Sequence, residues 1–198
     1  MDYIIRPAKK EEAYELAQLV NQAGQGPGTR GLDFTYWSMA AKDGQDPYEI
    51  GQKTVEDEND PYSYNNMRVL EVDNDIAALA MCFEAWTRTA EEMAKIPTEF
   101  QVFKHLTNEI PGEFYLDSIA AKPEYRGKGY GQIMLQDCID QAKSKNYNAV
   151  YLIAFDKNAP GVGLYEKNGF YPVRDLPNTD HPDMPYQGGK IVLYKKDL

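Results

Sequence analysis

The sequence predicts an α/β (α+β) chain with a mixed, mostly antiparallel central sheet and helices on both faces. Three observations carry this. Strand-like and helix-like patterns follow one another in the order β-α-(α)-β-β-β-α-β-α-β-β, without an internal repeat. Two apolar runs, Met67 to Val72 and Ile76 to Ala85, flank Asp73-Asn74-Asp75, residues suited to a tight hairpin turn. A third extended run, Phe114 to Ala121, passes through Arg126-Gly-Lys-Gly-Tyr-Gly131 into a helical pattern.

Tyr3 to Arg6 reads as a short strand stopped by Pro7. Lys9 to Gly24 reads as a helix, with Glu11 and Glu12 in its first turn and Ala13, Leu16, Ala17 and Val20 along one stripe. Gly24, Gly26, Pro27 and Gly28 end it. Phe34 to Ala40 has the composition of a short helix. Pro47 opens another, with Gly51 inside or just after it, and Glu56 to Pro61 is an acidic turn. The run Ile76 to Ala85 is nearly all apolar, as expected of a central strand covered on both faces, and Glu84 stands out near its end.

Residues 86–112 read as an insertion between strands. Thr89 with Glu92 three positions on is a capping pair, and Phe100, Val102, Phe103 and Leu106 supply a second apolar face. After the strand Phe114 to Ala121 comes a helix, Gly129 to Ser144, with Met134, Leu135, Cys138, Ile139 and Ala142 on one face. Ala149 to Phe155 is a strand and Gly161 to Asn168 a short helix ended by Gly169. Phe170 to Val173 and Lys190 to Tyr194 give the last two strands, joined by a loop over 178–189.

A glycine-rich, basic loop at a helix N-terminus has two readings. It can simply close a turn, or it can hold a phosphate. In the second reading the first helical N–H groups and the peptide dipoles face an anion, glycines let it approach the backbone, and Arg126 and Lys128 add charge. The dinucleotide pattern G-x-G-x-x-G does not fit Gly127-x-Gly129-x-Gly131, and no Lys-Ser or Lys-Thr follows as a nucleotide-triphosphatase loop requires.

The 198 residues favour a single domain, 1–198. A net charge of −10 argues against a nucleic-acid partner and is compatible with a cationic substrate, or with an acidic surface that only confers solubility. No apolar run is long enough to span a bilayer, and the N-terminus lacks a signal-peptide core, so the expected location is the cytoplasm, without a membrane partner. Cys82 and Cys138, far apart in sequence, read as two buried thiols in a reducing compartment. With His105 and His181 they make no usual zinc set, so no metal is expected.

Ile119-Ala-Ala-Lys-Pro-Glu-Tyr-Arg-Gly-Lys-Gly-Tyr-Gly131 closely resembles the coenzyme A-binding segment of the GNAT superfamily of N-acetyltransferases, whose loop reads Arg/Gln-x-x-Gly-x-Gly/Ala. Asn158-Ala-Pro-Gly-Val-Gly-Leu-Tyr-Glu-Lys-Asn-Gly-Phe170 resembles a second segment of that family. The likeness covers about residues 113–173 well and the rest through element order. It implies an acetyl-CoA-dependent N-acetyltransferase acting on a primary amine of a small molecule or peptide by direct attack on the thioester.

The resemblance also implies roles. Main-chain N–H groups of Gly127, Lys128, Gly129, Tyr130, Gly131 and Gln132 would hold the pyrophosphate, with Arg126 alongside. Backbone groups of Ile119, Ala120 and Ala121 would face the pantetheine arm, and one near Ile119 would meet the thioester oxygen. Ala121 stands where many members have Val. Tyr165 would give a proton to the departing thiolate, although most of the 15 tyrosines in the chain are expected merely to pack. Asn158 would bond to the pantetheine or position the short helix. Glu84 and Asp117 are the candidate bases. Residues 29–66 would be the variable acceptor-side segment. Pairing of copies through C-terminal strands is common in the family, so a homodimer is an open expectation. Two alternatives stay open: a CoA-binding module without turnover, and a transferase of a longer acyl group.

Overall fold

The computed structural model describes residues 2–182 and 184–198. Its strands are β1 (Ile4–Pro7), β2 (Met67–Val72), β3 (Asp75–Glu84), β4 (Phe114–Ala121), β5 (Ala149–Phe155), β6 (Tyr171–Pro177) and β7 (Lys190–Asp197). Its α-helices are α1 (Ala13–Ala23), α2 (Leu32–Ala40), α3 (Pro47–Glu56), α4 (Ala90–Ala94), α5 (Thr98–Thr107), α6 (Tyr130–Ser144) and α7 (Ala159–Lys167). The strand order is β1-β2-β3-β4-β5-β7-β6. The β4–β5 pair is parallel, while β1–β2, β2–β3, β5–β7 and β6–β7 are antiparallel, so the mixed, mostly antiparallel sheet expected from the sequence is what forms.

The chain divides into two compact units, one reaching to Cys82 and taking in Ser118–Cys138, the other made of Phe83–Asp117 and Ile139–Leu198. In the first unit, Asp73 and Asn74 both adopt positive φ, 51° and 65°, which gives the β2–β3 hairpin its tight turn. Ile76 to Met81 are all buried, as are Leu16, Ala17, Leu19 and Val20 of α1 and Met134, Leu135 and Cys138 of α6. Each fully buried Leu or Met contributes about 1.5–3 kcal/mol. The helix read over Lys9 to Gly24 begins with a 3-10 turn at Lys10–Glu12, where Glu12 accepts from the Lys9 N–H and ion-pairs with Arg6. Gly51 lies inside α3 because a Cβ there would stand 2.7 Å from the Trp37 ring. The acids of 57–60 are engaged locally: Asp57 and Asp60 accept from the backbone of Asn59 and Tyr62, and Glu58 from the Tyr64 hydroxyl.

In the second unit, β4 pairs with β5 from Phe114↔Val150 to Leu116↔Leu152. The excursion 86–112 leaves and returns at one point, where the Ala85 N–H donates to Glu113 O (2.9 Å) and the Gly112 N–H to Ala85 O (2.8 Å). Inside it Thr89 and Glu92 form the expected capping box of α4. The buried Arg88 lies over the Trp86 ring at 4.0 Å and donates to Thr107 Oγ1. Helix α7 starts at Ala159, earlier than the sequence suggested, because Asn158 caps it and Pro160 suits a first helical turn. Strand β6 runs on to Pro177, held in register by β7.

Candidate active site

In the first unit, the end of β4 is fixed before the glycine loop begins. The Lys122 N–H donates to Ala77 O of β3. The Lys122 ammonium bridges Glu15 of α1 and Asp75 of β3, at 2.6 Å from each. Burial alone would lower its pKa, but the hydrogen bonds to Asp75 and Glu15 outweigh burial and raise it. The same bond, joined by one from Tyr125, holds the Asp75 carboxyl below its ordinary value. Nothing in the sequence announced this clamp, since its acids lie far from Lys122 along the chain.

A 3-10 turn, Pro123–Tyr125, leads to Arg126, whose Nε donates back to Ala121 O at 3.3 Å. Gly127 and Gly129 have φ of 75° and 83°, a left-handed backbone that favours glycine. A Cβ built on either would meet no heavy atom within 4 Å, so the space over both is open. Arg126 and Lys128 are exposed, and Lys128 Nζ stands 4.7 Å from the centre of the Tyr125 ring.

Helix α6 starts on this loop, with the Ile133 N–H donating to Gly129 O at 3.1 Å. The first-turn N–H groups of a helix have no acceptor within it, and the peptide dipoles there favour an anion. Tyr130, buried, anchors the start against Tyr125 and Tyr3, ring centres 6.1 and 6.3 Å away. About two turns further on, Asp137 accepts from Arg68 of β2 at 2.8 Å. Ile119, Ala120 and Ala121 are partly exposed, and the ladder between β4 and β5 ends before them, at Leu116. An open, left-handed, glycine-lined cradle at a helix start, flanked by two cations, fits a pyrophosphate.

The second unit holds the other candidates. Tyr165 of α7 is 8 % exposed, with its ring 6.1 Å from Phe170 and 6.4 Å from Tyr194, centre to centre. Asn158 accepts from the Gly161 N–H at 3.3 Å and so caps the start of α7. Asp117 lies partly exposed in mid-β4. Glu84 is exposed at the end of β3, beside Ala85 and Glu113 and therefore at the start of β4, and it accepts from the Tyr147 hydroxyl at 2.7 Å. Burial, then that bond, pushes the Tyr147 hydroxyl up to about 12. Tyr147 was not singled out by the sequence, because its partner is 63 positions away.

Among the described residues no helix is long and apolar enough to cross a membrane. Residues 32–170 match the model of the acetyltransferase (GNAT) family. A Bacillus subtilis (strain 168) protein with the provisional name ribosomal protein bS18-alanine N-acetyltransferase is 26% identical over 119 residues, 54% of this chain and 79% of that protein. The ribosomal protein bS18-alanine N-acetyltransferase of Escherichia coli (strain K12) is 31% identical over 65 residues, 33% of this chain and 44% of that enzyme. Among solved structures, a mosquito arylalkylamine N-acetyltransferase like 5b is similar with a TM-score of 0.66 at 15% identity, covering 100% of both chains. The Salmonella typhimurium protein yncA, solved with acetyl-CoA, is similar with a TM-score of 0.59 at 17% identity, covering 100% of this chain and 95% of that one. At such identities the structural likeness speaks for the fold.

Proposed function

The chain belongs to the acetyltransferase (GNAT) family, and we propose that it transfers the acetyl group of acetyl-CoA to a primary amine of a small molecule or peptide, by direct attack of the amine on the thioester. The observation that carries the reading is the cradle at Gly127 and Gly129, left-handed and open, at the start of α6. The bS18-alanine N-acetyltransferases among the relatives support a peptide amine, and the mosquito arylalkylamine N-acetyltransferase a small one.

Bound acetyl-CoA supplies the activated acetyl group and the leaving thiol. In this proposal the N–H groups from Gly127 to Gln132, with Arg126, hold its pyrophosphate, and the backbone of Ile119 to Ala121 faces its pantetheine arm. Orientation of this kind removes much of the entropic cost of bringing amine and thioester together. An amine attacks only when neutral, so a proton must leave it, and a carboxylate can take it directly or through water. Asp117 and Glu84 are the candidates for it, taken as a set, and Glu84 accepts from Tyr147 at the start of β4. Tyr165 gives a proton to the departing thiolate, and Asn158 steadies Tyr165 by capping its helix.

The test is thiol release from acetyl-CoA across a panel of amines, including peptides with a free N-terminus, with CoA-induced thermal stabilisation measured alongside. Turnover with one amine class is the expected result. Stabilisation without turnover on any amine would favour the CoA-binding module, and no stabilisation would remove the cradle as a CoA site.

A further inference from the structure

The two cysteines, 56 positions apart, meet inside the first unit. Cys82 of β3 and Cys138 of α6 are thiols rather than a disulfide, and their Sγ atoms lie 3.1 Å apart. Both are buried, Cys138 fully and Cys82 at 5 % exposure. Nothing in the acetyl-transfer reading uses either thiol. Two sulfurs at this separation need approach by only about 1 Å to reach the bond length of a disulfide, which is about 2.05 Å. Both also sit on regular elements, so the meeting does not depend on the posture of a loop.

We propose that Cys82 and Cys138 are a redox-sensitive pair that a small hydroperoxide converts to an internal disulfide between β3 and α6. The proposal does not rest on the acetyl-transfer reading. Cys82, the less enclosed of the two, is the sulfur that reacts first. Its thiolate attacks one oxygen of hydrogen peroxide. The O–O bond breaks, hydroxide leaves and takes up the thiol proton as water, and Cys82 becomes a sulfenic acid. The Cys138 sulfur then attacks Cys82 Sγ. The S–S bond forms, the S–O bond breaks, and the hydroxyl leaves with the Cys138 proton as a second water. The two sulfurs together lose two electrons and the peroxide gains them.

A cysteine lodged against a resolving partner stops at this disulfide, whereas an isolated one proceeds to sulfinic and sulfonic acids. The bond would fasten the sheet strand next to β4 to the helix that begins at the glycine loop. Reduction by a dithiol would release it.

The experiment treats the reduced full chain with hydrogen peroxide and reads intact mass and a non-reducing peptide map. The expected result is a loss of about 2 Da, one linked peptide joining Cys82 to Cys138, full reversal by dithiothreitol, and a Tm higher by about 5 °C or more, as cross-linking a long loop implies. Cys82→Ala and Cys138→Ala each abolish the linked peptide. Oxygen added to either thiol without a linked peptide, disulfide-linked dimers, or two thiols still titratable on unfolding after treatment would each overturn the proposal. Because the wild-type result decides it, a variant that fails to fold does not blunt the test.

Discussion

The Tyr147 hydroxyl donates to Glu84 Oε2 at 2.7 Å, tying the loop after α6 to the end of β3. Burial and the carboxylate together push this tyrosine up to about 12 from the ordinary 10. A group whose folded pKa is raised contributes stability that is complete below its unfolded pKa and disappears as pH rises through the folded one. The neutral Tyr147 side chain therefore contributes fully up to about pH 10, and its contribution fades towards about pH 12. Tyr147→Phe is expected to unfold at lower urea than wild type at pH 8, with the gap closing as pH rises across that window. Tyrosinate absorbance should lose a late-titrating component in the variant. An unchanged titration would mean that another tyrosine occupies that place.

Gly129 has φ of 83° and open space where a side chain would stand. Gly129→Val is expected to raise the Kd for CoA by about tenfold or more, about 1.4 kcal/mol. It also strains the backbone by about 1–3 kcal/mol. Gly129→Asn separates the two effects, since Asn tolerates left-handed φ while still filling the space. Calorimetric binding of CoA to both variants, beside their melting temperatures, checks this. Wild-type affinity in Gly129→Asn would place the phosphates elsewhere.

Tyr165→Phe keeps the ring that packs on Phe170 and Tyr194 and removes only the hydroxyl. If that hydroxyl serves the departing thiolate, kcat falls by about 100-fold with the Kd for CoA unchanged. Equal kcat across pH would leave Tyr165 a packing residue. The same assay on Asp117→Asn and Glu84→Gln ranks the two carboxylates, the true base being the one whose loss removes the acidic limb of the pH profile.

Gly51 sets two effects against each other. Alanine in a helix interior is preferred to glycine by about 1 kcal/mol. Here, however, the added methyl would stand 2.7 Å from the ring of Trp37, itself buried and in edge contact with Tyr48. Overpacking of that kind costs about 1–3 kcal/mol, so Gly51→Ala is expected to destabilise on balance. A urea midpoint below that of wild type bears this out, and a higher one would mean that Trp37 moves aside cheaply.

What could be read before folding was local. Asp73 and Asn74 announced their turn because short polar side chains tolerate the left-handed backbone they adopt. Thr89 and Glu92 announced their helix because a capping box spans only three positions. Gly127 and Gly129 announced the loop because their chemistry and their conformation coincide. Unreadable were the partners that only the fold brings together: Lys122 with Glu15 and Asp75, Tyr147 with Glu84, Cys82 with Cys138. Gly51 belongs with them, since its puzzling place in a helix is explained by an indole on another helix. The acidic turn read over Glu56 to Pro61 was legible too, since its acids bond to neighbours within a few positions.

The return of the chain to Ala85 has a consequence for lineage and engineering. Because Ala85 is bonded to both Gly112 and Glu113, the excursion between them spans no distance. The entropy of closing such a segment grows only with the logarithm of its length, each doubling adding about 0.6 kcal/mol. Changes of length at its exposed turns therefore add little closure cost, whereas loss of its buried Phe100, Leu106 and Ile110 would cost packing. The segment is also fastened within itself, Arg88 donating to Thr107 Oγ1 and Gln101 Nε2 to Met93 O, so its exposed turns can diverge faster than the sheet that carries it.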